Sequence, residues 1–379
     1  MLVNLAVFLV AILVAAGLAE MLVRIIAPQQ LIQIRPDIWR PADSLGWTNR
    51  PNVNTTINTG ERTVHLYTDS AGLRVGAGGR QAAPTKVLVI GDSFMEALQV
   101  EYEQTFSGLL GPGLTGRLGH GVEVFDAGVD GWDPPQYLVR ARQLMATDHY
   151  DLLVVAVYLG NDVIARRVDD IPPRAPQVLH HLRVPRSLRW SEMVDALLYP
   201  LNDVLKRHSQ LFIFFKNRLQ SLRQRAHLTA DFFPVELRRS EATAPRWALT
   251  ADVCAEIVAM ARQHGVPTLT VLIPSPIAVD TATFSVYAKG FKIDPGTVDL
   301  GQPTRRMKEE LDARHVVNLA VQQNFMTAES VGEKLYGSVD RHLTIAGNRL
   351  LEKLVEPMAA ALIGTSAAPL KRSPHHGGG

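Results

Sequence analysis

Four separated motifs in this sequence carry polar residues at positions where an apolar run ends or a helix-like pattern begins. Ser93 stands in VLVIGDSF, directly after an aliphatic run. Gly128 stands in FDAGVDGW, Asn161 in YLGND, and Asp340 and His342 in SVDRHL. A serine nucleophile needs a base, usually histidine, to take its proton, and a carboxylate to orient the imidazole. Ser93, His342 and Asp340 are of these three types, so they are the candidate catalytic residues.

The same motifs contain donors for an oxyanion. A tetrahedral intermediate needs hydrogen-bond donors aimed at its developing negative charge. The predicted donors are the peptide N–H groups of Ser93 and Gly128 and the side-chain amide of Asn161. Each motif alone has a structural alternative, since serine caps helices and Gly-Asn-Asp is a frequent turn. Their order and positions together favour the catalytic interpretation.

The elements that would position these residues alternate between strands and helices. Strands are predicted at Lys86–Ile90, Val122–Asp126, Leu152–Leu159, Thr268–Ile273 and Val316–Leu319. Helices are predicted at Glu103–Leu118 (broken near Gly111-Pro112-Gly113), Pro135–Ala146, Thr250–His264, Arg305–Arg314 and Thr344–Ile363. This alternation predicts an α/β fold, a three-layer sandwich with a mostly parallel central sheet. Ligands of such folds bind at the carboxyl ends of the strands, where the motifs stand.

Composition limits the classes of function. The chain has 379 residues, of which 46% are hydrophobic and 20% charged, as expected of a globular protein with a large core. Its net charge of +2 gives no general field for nucleic acid, so no nucleic-acid partner is predicted. Cys254 is the only cysteine, which excludes an internal disulfide and a metal site built from cysteines.

The N-terminus predicts a transmembrane anchor at residues 1–27. Leu2–Ala19 is apolar apart from one asparagine, and Glu20 and Arg24 then interrupt a pattern that stays apolar. A cleaved signal peptide is the alternative, with a weak candidate site at Gly17-Leu18-Ala19. Arg24 and two further arginines follow the helix and mildly oppose export of the C-terminal part, so charge alone leaves the orientation open.

Three further regions are predicted around the core. Residues 28–85 form a linker and a small β region, and residues 365–379 form a disordered tail. Residues 166–246 form a basic helical insertion containing LFIFFKNRLQSLRQ, whose composition is typical of an interfacial helix. Four interpretations of this insertion stay open. It is a lid over the active site, a surface for anionic headgroups or polysaccharide, a docking face for a membrane protein partner, or a helix packed on the core.

Together the motifs resemble the SGNH, or GDSL-type, hydrolase superfamily. VLVIGDSFMEALQVEYEQTF, SLGWTNRPN, YTDSAGLR and the apolar N-terminal helix resemble its bacterial membrane-anchored branch. The resemblance implies an SGNH/flavodoxin-like domain over residues 86–364. It also implies Ser93 as nucleophile, His342 as base, Asp340 as the orienting acid, and an oxyanion hole of Ser93, Gly128 and Asn161. No metal or organic cofactor is implied.

The resemblance further implies a single-pass protein of the bacterial inner membrane, with a periplasmic domain that acts on acyl or acetyl esters of envelope glycan or lipid. Hydrolysis and transfer to another acceptor both stay open, as does a non-catalytic role in a membrane protein complex. Two features depart from the family pattern. Asp126 stands where many relatives have Asn. One residue separates Asp340 from His342, as in some branches of the family, whereas other branches have two intervening residues. Asp126 would disfavour an oxyanion if it faced inward, and the alternatives are that it points into solvent or caps a turn.

Overall fold

The computed structural model of the chain describes residues 2–29, 35, 37–59, 61–163, 166–171, 201, 204–205, 208–225, 237–238, 244–338 and 340–366. Most of the predicted insertion and the tail beyond residue 366 lie outside these residues.

A single eight-stranded sheet runs through the described part of the chain. Its strands are β3 (Asn54–Asn58), β4 (Thr63–Thr68), β5 (Arg74–Val75), β6 (Thr85–Ile90), β7 (Val122–Asp126), β8 (Leu152–Tyr158), β9 (Thr268–Ile273) and β10 (Asn318–Ala320), in the order β10-β9-β8-β6-β7-β5-β4-β3. β1 (Trp39–Ala42) and β2 (Gly46–Asn49) form a separate antiparallel pair.

The sheet has two parts with different strand directions. β10, β9, β8, β6 and β7 are parallel neighbours, whereas β5, β4 and β3 continue the sheet as antiparallel strands. Numbered by their own sequence, the parallel strands have the order 2-1-3-4-5, which is flavodoxin-like. The predicted α/β sandwich with a mostly parallel sheet is therefore confirmed. The point where the strand order reverses lies between β6 and β8, and ligands of such sheets bind there.

The helices precede, flank and follow the sheet. They are α1 (Leu2–Ile26), α2 (Ser93–Glu96), α3 (Phe106–Leu118), α4 (Pro134–Met145), α5 (Gln210–Arg225), α6 (Ala244–Gln263), α7 (Pro276–Val279), α8 (Thr281–Phe291), α9 (Gln302–Ala313), α10 (Gln322–Ser330) and α11 (Ile345–Ser366). α4, α6 and α9 pack together, and α3 packs against α11.

Two apolar cores separate the three layers. Along β6, Leu88 and Ile90 belong to one core with α4, α6 and α9, whereas Val87 and Val89 belong to the other with α3 and α11. Both faces of the strand are thus buried, which explains why it is apolar at every one of these positions.

The predicted break in the helix near Pro112 is wrong. α3 continues through Pro112 to Leu118, and it begins at Phe106, after a 3-10 turn at Tyr102–Gln104. Proline removes one backbone hydrogen bond from a helix interior. Here Leu110 and Leu114, on either side of Pro112, are fully buried. Packing of this face therefore outweighs the local cost of the proline.

Boundaries of other elements also differ from the sequence expectation, as α6 and β10 show. α6 begins at Ala244, six residues before the predicted start at Thr250, because the apolar face already includes Trp247, which is 2% exposed. β10 covers Asn318–Ala320 rather than Val316–Leu319, since its pairing with β9 sets the register.

The described part of the insertion is attached to the end of the apolar N-terminal helix. Val3–Ile26 is long and apolar enough to cross a membrane. Near its end, the Glu20 carboxylate accepts hydrogen bonds from the Ser209 hydroxyl and the N–H groups of Gln210 and Leu211, at 2.8, 2.9 and 2.9 Å. These amides belong to the first turn of α5, whose N–H groups have no partner within the helix. Glu20 therefore caps α5.

A buried arginine joins the antiparallel strands to the end of α2 and the loop that follows it. The side chain of Arg74, in β5, is 0% exposed and donates to the carbonyl oxygens of Glu96, Ala97 and Val100. The distances to the last two are 2.6 Å. Asp126 and Glu96 are close enough to attract its charge. Residues 96–100 thus depend on Arg74 for their conformation.

Replacement of Arg74 by Met is expected to lower the free energy of unfolding by about 3–5 kcal/mol, because it leaves buried carbonyls and carboxylates without their cation. Arg74→Lys keeps the positive charge but offers fewer hydrogen-bond donors, so a smaller loss of stability is expected. Urea denaturation checks both variants. The control is Arg62→Met, at an exposed position of the β3–β4 hairpin, which should change stability by less than about 0.5 kcal/mol. Equal effects at positions 74 and 62 would contradict this role of Arg74.

Candidate active site

The candidate nucleophile lies on a tight turn between β6 and α2. β6 ends at Ile90, and α2 begins at Ser93 with Asp92 as its N-cap. The Asp92 carboxylate accepts from the Phe94 N–H at 2.9 Å, so Asp92 holds the turn. A side chain at Gly91 would lie 3.2 Å from the Ala156 carbonyl oxygen of the neighbouring strand. The turn therefore needs glycine there.

Ser93 and His342 are brought together by the fold, although 249 positions separate them. His342 Nε2 lies 2.8 Å from Ser93 Oγ, at hydrogen-bond distance. His342 stands in the loop before α11, and its ring packs against Phe94 with 4.9 Å between centroids. This is the arrangement that a serine nucleophile and its base require.

Asp340 is beside the imidazole but does not form a side-chain hydrogen bond with it. Its Oδ1 accepts from the His342 backbone N–H at 3.1 Å and lies 3.8 Å from His342 Nδ1. Among the described residues, Nδ1 and Asp340 Oδ2 are buried without a hydrogen-bond partner. Burial raises the pKa of Asp340, and the charge of His342 opposes that rise. The two groups are thus placed for electrostatic attraction.

The predicted oxyanion donors have different surroundings. The Gly128 N–H donates to Asp126 Oδ1 at 3.0 Å, so this amide is already used. A Cβ at Gly128 would lie 2.6 Å from the Met95 carbonyl carbon, which shows that the glycine allows close packing against α2. Asn161 is exposed in the turn after β8. Within the described residues, no contact joins its side chain to Ser93 or His342.

A second glycine, Gly131, follows in the same motif. Gly131 has φ of +74°, and in the described part of the chain its N–H has no hydrogen-bond partner. The loop that carries it lies at the site, because the neighbouring Asp130 interacts electrostatically with His342 and Asp92. In FDAGVDGW, Asp126 precedes Gly128 by two residues. This spacing allows a local turn in which the Asp126 side chain accepts from the Gly128 N–H.

The Asp126 side chain is buried and accepts a hydrogen bond from the Gly128 N–H. It is 0% exposed, and burial raises its pKa to about 6. Hydrogen bonding from Gly128 and attraction to Arg74 oppose the rise. Of the roles considered for Asp126, stabilisation of a turn fits these contacts.

Glu96 connects three segments beneath the nucleophile. Its side chain is 0% exposed and accepts from the Trp39 indole N–H at 3.1 Å and from the Asp130 N–H at 2.6 Å. Burial raises the pKa of Glu96 to about 8. The N-terminal β1–β2 pair and the Asp130 loop are therefore attached to α2 through one buried carboxyl group.

Asp162 fixes the end of β8 in a similar way. It is fully buried, and its Oδ2 accepts from the Tyr137 hydroxyl at 2.9 Å and the Tyr158 N–H at 2.8 Å. Among the described residues, no group of His, Cys, Asp and Glu side chains is arranged to hold a metal ion.

No protein-family profile and no curated protein matches this chain. Solved structures that match include TesA, a member of the lipolytic protein G-D-S-L family from Veillonella parvula, and an acetylxylan esterase from Geobacillus stearothermophilus. Their sequence identities are 16%, 8% and 12%, and they cover 73%, 72% and 75% of this chain. The matches span 99%, 96% and 96% of those chains, with TM-scores of 0.39, 0.36 and 0.39.

These structures include the GDSL-type proteins that the motifs predicted.

Replacement of Asp126 by Asn is expected to remove a pH-dependent part of the stability. The folded-state pKa of about 6 lies above the unfolded-state value of about 3.9. Between these values the folded protein binds more protons, so its free energy of unfolding falls as pH rises. Asn keeps an oxygen for the Gly128 N–H. Relative to Asp126→Asn, the wild type should lose roughly 2 kcal/mol between pH 4 and pH 7. Urea denaturation across that range measures the difference, and a difference independent of pH would contradict the prediction.

Proposed function

We propose that the protein is a membrane-anchored serine esterase or acyl transferase that acts on acyl or acetyl esters of cell-envelope glycan or lipid. The observation that carries the proposal is the 2.8 Å contact between Ser93 Oγ and His342 Nε2. It occurs at the end of β6, beside the reversal in strand order where ligands bind in this type of sheet.

In the proposed reaction, Ser93 Oγ attacks the ester carbonyl carbon while His342 Nε2 takes the hydroxyl proton. The tetrahedral intermediate collapses, the carbon–oxygen bond to the alcohol breaks, and His342 gives its proton to the leaving oxygen. Water, or a second alcohol in the case of transfer, then attacks the acyl-serine by the same steps. Asp340 stabilises the imidazolium by its charge, at 3.8 Å from Nδ1.

The proposed oxyanion hole differs from the expectation at one position. In the described part of the chain, the Ser93 N–H and the Gly131 N–H are both without a hydrogen-bond partner, which favours them as donors. Gly128 is proposed to allow the close approach of its loop to α2, since its N–H is bonded to Asp126. The Asn161 amide stays a proposed third donor, because it follows β8, the strand next to β6.

The anchoring proposal rests on α1 and α5 together. α1 is almost entirely exposed and apolar up to Glu20, where it caps α5. In α5, Phe215 and Leu219 lie one turn apart and are 63% and 52% exposed. An amphipathic helix attached to the end of a membrane span is suited to lie in the headgroup region. We propose this use for α5, with the inner membrane and a periplasmic domain as the location.

A non-catalytic subunit of a membrane protein complex is the rival function. The paired serine and histidine favour catalysis, because a purely structural role requires no such contact at a ligand-binding edge.

Replacement of Ser93 by Ala is expected to reduce hydrolysis of a short-chain 4-nitrophenyl ester by about 10³-fold or more in the detergent-solubilised full chain. His342→Gln should cause a comparable loss, and Asp340→Asn a smaller one because its ion pair with His342 is long. Ser330→Ala, at an exposed position of α10, is the matched control. A folded wild type without turnover would favour the non-catalytic rival, and activity retained in Ser93→Ala would exclude Ser93 as nucleophile.

Leu219 is expected to contact lipid when the full chain is placed in vesicles. A fluorophore on Leu219→Cys should be quenched by brominated lipids, whereas one on Val331→Cys, which is 77% exposed beyond α10, should not. The native Cys254 is buried, so it should react little with the label. Equal quenching at positions 219 and 331 would contradict an interfacial position for α5.

A further inference from the structure

A cavity of about 120 Å³ lies beside the Ser93–His342 pair, and the proposed chemical steps leave it without a role. It lies at the carboxyl ends of β8 and β9, between α8 and the loop that carries His342. Its polar lining is supplied by Tyr158, Ser275, Tyr287 and Arg341, and its apolar lining includes Leu159 and Ile277.

Two of the lining residues connect the cavity directly to the catalytic pair. The Tyr158 ring stacks on Phe94 with 3.9 Å between centroids, and Phe94 directly follows Ser93. Arg341 directly precedes His342. A substrate whose ester carbonyl reached Ser93 would therefore place a neighbouring substituent at this cavity.

Among the described residues of the lining, Arg341 is the only cation, and its charge has little compensation. Among the described residues, its one hydrogen bond is a long contact of 3.4 Å to the Thr283 hydroxyl, and it forms no ion pair. The same Thr283 hydroxyl is hydrogen-bonded to the carboxylate of Asp280. This carboxylate accepts from Thr283 Oγ1 at 2.7 Å and from the Ala282 N–H at 3.0 Å at the start of α8. Asp280 is thus occupied as a helix cap.

The backbone at Arg341 is held in an unfavourable conformation. Its φ is +68°, a value that an arginine rarely adopts. Arginine offers no intrinsic preference for this region, as glycine or asparagine would. Such strain at a ligand-binding edge is typical of positions where the side chain is required.

We propose that this cavity is a subsite for an anionic group, a carboxylate or a phosphate, carried by the ester substrate close to the reacting carbonyl. This inference rests on the proposed function and narrows its substrate class. A guanidinium binds either anion through two parallel hydrogen bonds. The hydroxyls of Ser275, Tyr158 and Tyr287 are further polar groups of the lining. Burial raises the pKa of Tyr158, so its hydroxyl stays protonated and remains a donor.

Matched esters test the proposal and show where the anion is carried. On the alcohol side, the acetates of methyl glucoside, methyl glucuronide and methyl glucoside 6-phosphate are compared; they differ at carbon 6, which carries a neutral hydroxyl, is a carboxylate, or carries a phosphate. On the acyl side, 4-nitrophenyl butyrate is compared with the 4-nitrophenyl monoester of succinate. In at least one series, kcat/KM of the wild type should favour the anionic ester, and Arg341→Gln should lower that preference about tenfold.

Arg341→Lys should keep part of the preference, because it retains the charge but not the paired donors. The matched control is Arg349→Gln, at an exposed position of α11, which should leave the preference unchanged. The proposal is overturned if the wild type shows no preference in any series, or if Arg341→Gln retains it.

Calorimetric binding of methyl glucuronide, methyl glucoside 6-phosphate and sodium succinate, with methyl glucoside as the neutral reference, separates this subsite from the proposed catalysis. Binding of an anion that is lost in Arg341→Gln, without turnover of any ester, would support the subsite and contradict the esterase. Ester turnover that depends on Ser93, without binding of any of these anions, would support the esterase and contradict the subsite.

Discussion

The end of α2, the helix that begins with the nucleophile, and the loop after it depend on the buried guanidinium of Arg74. Three carbonyl oxygens between residues 96 and 100 accept from this one side chain. Arg74 is in β5, the strand that joins the antiparallel part of the sheet to β7. Because an unpaired buried charge is costly, the arginine, the loop and the carboxylates of Asp126 and Glu96 have to be positioned together. The segment before the α/β core therefore supports the site as well as extending the sheet.

Several buried acidic groups surround a site that is proposed to stabilise an oxyanion. Like Arg74, they connect segments of the chain by hydrogen bonds. Glu96 and Asp162 are fully buried, and each accepts two hydrogen bonds, of which both of those to Glu96 and one of those to Asp162 come from other segments. Burial raises the pKa of Glu96 to about 8, which reduces the negative charge next to Ser93 at neutral pH. These carboxyl groups hold loops in place, whereas Asp340 alone lies beside the imidazole at ion-pair distance.

The sequence predicted the parts of the structure that depend on local patterns. Mostly apolar runs between turn residues identified β6, β7, β8 and β9, since both faces of each are largely buried. The positions of Ser93 and His342 followed from motifs at element ends. Contacts between distant segments were not predictable in this way. Nothing near Arg74 indicates that it reaches Val100, and nothing near Glu20 indicates that it caps α5. The turn in which the Gly128 N–H donates to Asp126 was likewise not predicted, and the role of Gly128 as an oxyanion donor stays a prediction.

The central claim is that Ser93 is a nucleophile activated by His342, and reaction with a fluorophosphonate tests it most directly. The full chain in its membrane is exposed to the probe, and the modified residue is identified by mass spectrometry in the wild type and in His342→Gln. The account predicts modification at Ser93 in the wild type and a rate that falls by about 10³-fold or more in the variant. A folded wild type that is not modified at Ser93, or that reacts no faster than His342→Gln, would contradict it.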